Sequence, residues 1–191
     1  MQWKNHTKEV PDGAHAFLSP SNYHWLRYDK EKLLSVYANQ LATLRGTQLH
    51  AFAAQAITLG QKLPKTHQTL NMYVNDAIGF HLQPEQKLYY SPYCFGTADA
   101  IGFSKSFLRI HDLKTGVTKA SFDQLLIYAA LFCLDYGIRP ADLKGCEARI
   151  YQNDDIQITT FETDDIVPVI DKIVTFDQMI SDFKEDEYLG F

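Results

Sequence analysis

The stretch GTADAIGFSKSFLRIHDLKTG, which spans residues 96–116, decides the fold of this chain. Both halves are rich in aromatic and β-compatible residues, and turn-forming residues lie between them, so the segment predicts two strands joined by a turn. In a hairpin that is symmetric about the bond between Lys105 and Ser106, Asp99 lies directly opposite Asp112. We therefore expect a β-hairpin that brings two carboxylates together.

Two carboxylates that face each other across a hairpin repel, because directly opposed residues place their Cβ atoms roughly 4.5–5.5 Å apart. A divalent cation between Asp99 and Asp112 would relieve the repulsion, and carboxylate oxygens suit Mg²⁺ or Mn²⁺. Side chains alternate along a strand, so Lys114 projects from the same face as Asp112 and can meet a metal-bound water or an anionic substrate. Alternatively, the two aspartates lie exposed on an edge or pair with Lys114 or Arg109. A register slip of one residue would turn Asp99 to the other face.

The segments around the hairpin predict an α/β fold, with a central mixed β-sheet flanked by helices. Before it, the sequence predicts a strand over 87–93 and four helices, which begin at Ser19-Pro20, at Asp29 (closed by Gly46), at Thr47 and at Pro64. After it, we expect a helix over 122–136, strands over 147–151 and 156–161, and a closing amphipathic helix. We predict one domain over 1–191, with a helical part (19–84), the sheet (85–161) and a C-terminal helix and tail (162–191).

Composition narrows the class of protein. Apolar residues make up 46% of the 191 residues and charged residues 21%, which excludes a disordered, collagen-like or coiled-coil chain. The formal net charge is −5, so any binding of DNA must be local or assisted by cations. The three cysteines form no CxxC pair, and the sequence has neither a secretory signal nor an apolar run of membrane-spanning length. We expect a cytoplasmic protein without a membrane partner.

Two further groups of polar residues accompany the hairpin. Gln124 and Tyr128 are four residues apart on one face of the predicted helix, where they either point at a polar ligand or form an ordinary helix border. His50 lies in the first turn of the helix predicted to begin at Thr47, beside an apolar stripe. It is either a metal ligand or a packed boundary residue.

The residues discussed so far belong to four short motifs, which occur along the chain in a specific order. Along the chain stand Gly-Thr-x-x-His at residues 46–50, Gly-x-x-Asp at 96–99, Asp-x-Lys-Thr-Gly at 112–116 and Gln-x-x-x-Tyr at 124–128. Over roughly residues 19 to 151 the chain resembles the RecB-like branch of the PD-(D/E)XK nuclease superfamily, which includes the CRISPR-associated adaptation nucleases. Its helix start at Ser19-Pro20 and its compact size are similar to phage- or prophage-encoded members.

The resemblance implies a metal-dependent mechanism and assigns roles to residues. Asp99 and Asp112 would bind Mg²⁺ or Mn²⁺, and His50 and the backbone carbonyl of Leu113 would complete the protein ligands. Lys114 would orient or deprotonate the attacking water, or stabilise the charge that develops on phosphorus.

The resemblance also implies how DNA is held. Thr115, Gln124 and Tyr128 would position the DNA backbone by hydrogen bonds to phosphate, which carry no sequence information. Several relatives hold an iron–sulfur cluster with four cysteines, but this chain has no cysteine before Cys94 and no C-terminal cysteine cluster, so we expect no iron–sulfur cluster.

The function implied by the resemblance is that of a DNA exonuclease in recombination, repair or phage DNA metabolism, acting on single strands or duplex ends. A structure-selective or nicking endonuclease with the same site is the alternative among enzymes, and a non-catalytic DNA-binding or decoy protein is the alternative outside them. An annealing protein, a helicase or further copies of the chain are partners compatible with this function. The compartment would be the host cytoplasm if the chain is phage-encoded.

Overall fold

Helices flank a five-stranded mixed sheet in the computed structural model, which describes residues 3–6, 8–10 and 13–189, so the chain has the predicted α/β fold. In chain order the elements are a 3₁₀ helix (Pro20–Arg27), α1 (Lys30–Thr58), α2 (Thr69–Gly79), β1 (Gln83–Ser91), β2 (Cys94–Ser104), β3 (Phe107–Leu113), α3 (Asp123–Tyr136), a 3₁₀ turn (Pro140–Asp142), β4 (Gly145–Gln152), β5 (Asp155–Phe161) and α4 (Thr163–Leu189). Within the described part of the chain, no helix combines the length and apolarity needed to cross a bilayer.

The chain divides between Arg45 and Gly46 into two compact units. In the first unit, the 3₁₀ helix begins as predicted: the Ser19 side chain accepts a hydrogen bond from the Ser21 N–H, and the Ser19 carbonyl accepts one from the Trp25 indole. The second unit carries the sheet and the predicted site. The single domain expected over 1–191 stays a prediction.

The register of the central hairpin is the one that the sequence predicts. Ala100 pairs with His111, and the ladder continues to Ser104 opposite Phe107. Lys105 and Ser106 form the two-residue connection with φ of 52° and 63°, the left-handed backbone that a tight hairpin turn of matching twist requires. The ladder ends at Ala100 and His111, and Asp99, the next residue of β2, accepts a hydrogen bond from the Leu113 N–H.

The sheet has the strand order β1-β2-β3-β4-β5, in which β3 and β4 run parallel and the other neighbours are antiparallel. Antiparallel neighbours need only short turns, whereas the parallel pair needs a crossover, which α3 supplies. One face of the sheet buries an apolar core with α3 and α4 that includes Ile110, Leu125 and Ile166. The other face buries a core with α2 and the C-terminal part of α1 that includes Val74 and Tyr151.

Two predicted helix boundaries are wrong. Gly46 and Thr47 do not separate two helices but lie inside the continuous helix α1. Gly46 is buried, and a Cβ atom at this position would lie 2.8 Å from Thr115 Oγ1, so the glycine serves close packing against the segment after β3 and not helix termination.

The helix predicted to open at Pro64 begins instead at Thr69. The backbone N–H and the hydroxyl of Thr69 both donate to Asp154 Oδ1, at 2.8 Å and 3.0 Å. This hydrogen bonding reaches across 85 residues of sequence, so local sequence patterns do not reveal it.

A network of polar side chains lies under the α2 face of the sheet. His111 is fully buried, and its Nδ1 lies 3.2 Å from the hydroxyl of Tyr151, which donates to Asp76 Oδ2 at 2.7 Å. Burial, helped by the neighbouring charges of Arg149 and Arg109, lowers the pKa of His111 to about 3. The imidazole is therefore neutral in the folded protein at every pH near neutrality.

Burial of Ile110 predicts a large contribution to stability. Ile110 is 1% exposed, and we expect Ile110→Ala to lower the free energy of unfolding by about 2–5 kcal/mol, because methyl groups are lost and a cavity remains. Ile158→Ala is the matched control, because Ile158 is 54% exposed and its truncation should cost about 0.5 kcal/mol or less. Urea unfolding followed by circular dichroism measures both, and equal losses would contradict the described core.

The lowered pKa of His111 predicts a loss of stability in mild acid. The unfolded chain binds a proton at His111 as pH falls below about 6.5 and the folded protein does not, so stability falls from that pH down toward the folded pKa of about 3. Between about pH 7.5 and pH 5 this residue should account for about 2 kcal/mol of lost stability. Urea unfolding at both pH values should show a smaller pH dependence for His111→Gln; an unchanged dependence would contradict a neutral, buried imidazole.

Candidate functional site

The first part of the site is an ion pair between α1 and β2. His50 Nδ1 lies 3.3 Å from Asp99 Oδ1, and the two side chains are 29% and 17% exposed. Ala53, Ala56 and Ile57 bury one face of α1, and His50, one turn before Ala53, lies at the border of that face. The N–H of Leu113 donates to Asp99 Oδ2 at 2.8 Å, so the carboxylate is held from two sides.

Glu85 on β1 joins this pair. One donor atom from each of His50, Glu85 and Asp99 lies within 4.8 Å of the others. Glu85 lies between the ladder pairs Pro84–Ala100 and Gln86–Ala98, opposite Asp99, and has a left-handed backbone with φ of 49°. An imidazole nitrogen and carboxylate oxygens from three elements form a donor set that suits Mn²⁺, and its oxygens suit Mg²⁺.

The sequence-based prediction missed Glu85, because it began the first strand at Lys87. The sequence does show an acidic residue just before the predicted strand. Only the register between β1 and β2 reveals that this residue, Glu85, lies opposite Asp99.

Electrostatic interactions within this group shift the pKa values of His50 and Glu85. The hydrogen bond to Asp99 raises the pKa of His50 above its usual value, against the opposing effect of burial. Burial, and then the negative charge of Asp99, raise the pKa of Glu85. Both groups therefore retain protons more readily than they would in water, and a bound cation would displace those protons.

The second part of the site is the pair of Asp112 and Lys114. Lys114 Nζ donates to Asp112 Oδ1 at 3.1 Å and to Gln124 Oε1 at 2.7 Å. It also lies 3.0 Å from Asp112 Oδ2, but that oxygen is buried and accepts no hydrogen bond. A cation that coordinates this buried oxygen would share it with the Lys114 ammonium group, which forms an ion pair with it.

The two parts of the site interact. Burial raises the pKa of Asp112 most, the negative charge of Asp99 raises it further, and Lys114 opposes both effects. The negative charges of the two predicted metal ligands, Asp99 and Asp112, therefore repel each other. That Asp112 and the Leu113 carbonyl bind the metal stays a prediction; the structure shows the Leu113 N–H on Asp99, and the group within 4.8 Å contains Glu85 and not Asp112.

The three predicted DNA-positioning residues lie around this centre. Gln124 contacts Lys114, and the Tyr128 hydroxyl donates to the Thr97 carbonyl at 2.6 Å. A Cβ atom at Gly96 would lie 3.0 Å from the Tyr128 ring, so the glycine of the Gly-x-x-Asp motif makes room for the tyrosine. Thr115 is exposed, and its Oγ1 faces Gly46 of the Gly-Thr-x-x-His motif.

The arrangement can therefore gather a divalent ion beside an ammonium group. Two motif glycines, Gly46 and Gly96, contact side chains from the other two motifs, Thr115 and Tyr128. The four motifs thus meet in one place. Their order along the chain suggests this meeting, and the contacts in the structure demonstrate it. Whether each residue acts in catalysis stays a prediction.

The donor group predicts metal binding that depends on Glu85. Mn²⁺ titrated into the protein and followed by calorimetry should bind at least about tenfold more weakly to Glu85→Gln and to His50→Gln, because loss even of a residue that only supports a ligand costs 10–100-fold. Glu162→Gln, at an exposed glutamate before α4, is the control. The melting temperature of Glu85→Gln should stay close to that of the parent, and an unchanged Mn²⁺ affinity would exclude Glu85 as a ligand.

Comparisons with known proteins do not identify a family. No family model, curated protein or solved structure matches this chain. The proposed function therefore rests on the geometry of the described side chains and on the resemblance of the four motifs.

Proposed function

We propose that this protein is a Mg²⁺- or Mn²⁺-dependent deoxyribonuclease that hydrolyses phosphodiester bonds, acting as an exonuclease on single strands or duplex ends. The observation that carries the proposal is that the donor atoms of His50, Glu85 and Asp99 gather within 4.8 Å of one another, next to a buried Asp112 that is paired with Lys114. The order of the four motifs, which resembles the RecB-like PD-(D/E)XK nucleases, supports the same function and a role in recombination, repair or phage DNA metabolism.

The residues of the site fit a divalent ion. His50, Glu85 and Asp99 would hold it, joined by Asp112, whose Oδ2 also lies 3.0 Å from the Lys114 ammonium group. When bound, such an ion supplies Lewis-acid polarisation of a phosphate oxygen and a water of lowered pKa.

Lys114 provides the positive charge at the reacting phosphate. Asp112 and Gln124 hold its ammonium group, so that it is oriented before substrate arrives. From this position it orients the attacking water and stabilises negative charge that develops on the phosphate oxygens. Asp112 thus has two roles, as a partner of Lys114 and as a carboxylate for the cation.

The remaining polar residues suit the binding of a phosphate backbone. Gln124, Thr115 and Tyr128 offer amide and hydroxyl groups, and hydrogen bonds of this kind position DNA without reading its sequence. The chain has a formal net charge of −5, so the cation and Lys114 supply locally the positive charge that DNA requires. We expect little base specificity.

Substitution at the site tests the proposal. Asp112→Asn and Lys114→Ala should each reduce Mg²⁺- or Mn²⁺-dependent degradation of DNA at least about 100-fold, the usual cost of removing an electrostatic or proton-transfer group. Lys172→Ala on α4 is the control and should cleave like the parent protein. Undiminished cleavage by both site variants, or cleavage that persists in EDTA, would refute the assignment.

The form of the DNA distinguishes the alternatives. The assay uses end-labelled linear DNA and closed circular DNA, each single- and double-stranded, with Mg²⁺, Mn²⁺ or EDTA. An exonuclease leaves closed circles intact, whereas an endonuclease of the same fold cuts them. Binding of DNA without cleavage in either metal would favour the non-catalytic alternative.

A further inference from the structure

Two aromatic rings lie exposed on the β1–β2 hairpin. Tyr89 and Phe95 are register partners, their ring centroids are 6.3 Å apart and their planes differ by 23°, so the rings stack. The two residues are 54% and 65% exposed, although each carries a large apolar side chain. Their exposure shows that this pair does not pack in the core of the protein.

The stacked pair lies on the sheet face that α3 does not cover. Leu88 is buried in the core shared with α3, and Gly96 faces the Tyr128 ring of α3. Side chains alternate along a strand, so the neighbouring Tyr89 and Phe95 project from the opposite face. The two aromatic residues therefore do not pack against α3, and core packing with that helix does not explain their presence.

The hairpin leads from the stacked rings toward the candidate metal centre. After Tyr89 and Phe95, the next pair on the same face is Lys87 with Thr97. Two residues farther along each strand stand Glu85 and Asp99, which are not a ladder pair but whose donor atoms belong to the candidate metal centre. Each step is two residues of strand, roughly 6.6 Å, so the stacked rings are about 13 Å along the strand from Asp99. A step of this size is comparable to one nucleotide of an extended single strand.

We propose that Tyr89 and Phe95 form a stacking subsite for an unpaired base of a DNA strand. The strand's backbone passes Lys87 and reaches the candidate metal centre about two nucleotides farther on. This inference rests on the proposed function, since it takes the cleaved phosphate to lie at that centre. Exposed aromatic faces bind bases of any sequence by stacking, and the ammonium group of Lys87 supplies the charge that a phosphate needs.

The charges around the pair favour a base over a phosphate at this position. The Tyr89 N–H donates to Asp135 Oδ2 at 3.0 Å, so a carboxylate lies at the outer edge of β1 beside the rings. A phosphate is repelled there, whereas the flat face of a neutral base is not. Lys87 lies between the stacked rings and the candidate metal centre. Its positive charge attracts the phosphates of the DNA strand, so the DNA backbone continues from the rings toward that centre.

Binding without turnover tests the subsite. A short fluorescein-labelled oligothymidylate, titrated with the full chain in Ca²⁺ and followed by anisotropy, should bind Phe95→Ala and Tyr89→Ala about tenfold more weakly than the parent protein. Phe95→Trp should retain the affinity, because a larger ring also stacks. Phe176→Ala, at an aromatic residue of α4 that is 53% exposed, is the matched control and should bind like the parent.

A second readout reports stacking itself. An oligonucleotide with 2-aminopurine in place of one base should lose fluorescence on binding to the parent protein, but not to Phe95→Ala, when the probe occupies the subsite. Equal affinity and equal quenching for the parent and Phe95→Ala would overturn the proposal. It would also be overturned if Phe95→Ala changed only the oligomeric state, measured by size-exclusion chromatography with light scattering, since the rings would then bind a second copy.

The outcome is separable from that of the proposed function. If no metal supports hydrolysis but the aromatic substitutions weaken binding, the stacking subsite stands and the nuclease assignment fails. If hydrolysis occurs and the aromatic substitutions leave affinity and quenching unchanged, only the subsite is refuted.

Discussion

The pairing of β2 with β3 is the constraint on which the rest of the structure depends. Its register is set by a two-residue turn whose residues, Lys105 and Ser106, both adopt left-handed backbone. Because side-chain direction alternates with every residue, a slip of one position would move Asp99 away from His50 and from the Leu113 N–H that it binds. The candidate site therefore exists only in this register, and the apolar residues of β3, such as Ile110, enforce it by their burial.

Burial then determines how the charged groups behave. Asp112 is 3% exposed and close to Asp99, and this combination is unfavourable for two negative charges in a metal-free protein. Lys114 offsets part of the cost by its contacts with Asp112. A protein that retains such an arrangement has a strong preference for positive charge at this place. That preference is the physical basis for proposing a cation there.

Much of the fold and part of the site could be predicted from the sequence. The hairpin, its register and the helix with Gln124 and Tyr128 follow from local patterns, because strand alternation and helical spacing act over a few residues. Glu85 and the continuity of α1 could not be predicted in this way. Glu85 becomes a neighbour of Asp99 through the pairing of β1 with β2, and Gly46 owes its place to a close contact with Thr115. Both depend on contacts between distant parts of the chain.

The backbone at Glu85 has a further consequence, for association between molecules. β1 is an edge strand of the sheet, and edge strands offer unpaired N–H and carbonyl groups with which another chain can pair and aggregate. Pro84 lacks an N–H, and the left-handed turn of the chain at the next residue interrupts the regular strand. The irregularity that presents a carboxylate to the candidate metal centre thus also makes this edge a poor template for intermolecular β-sheet.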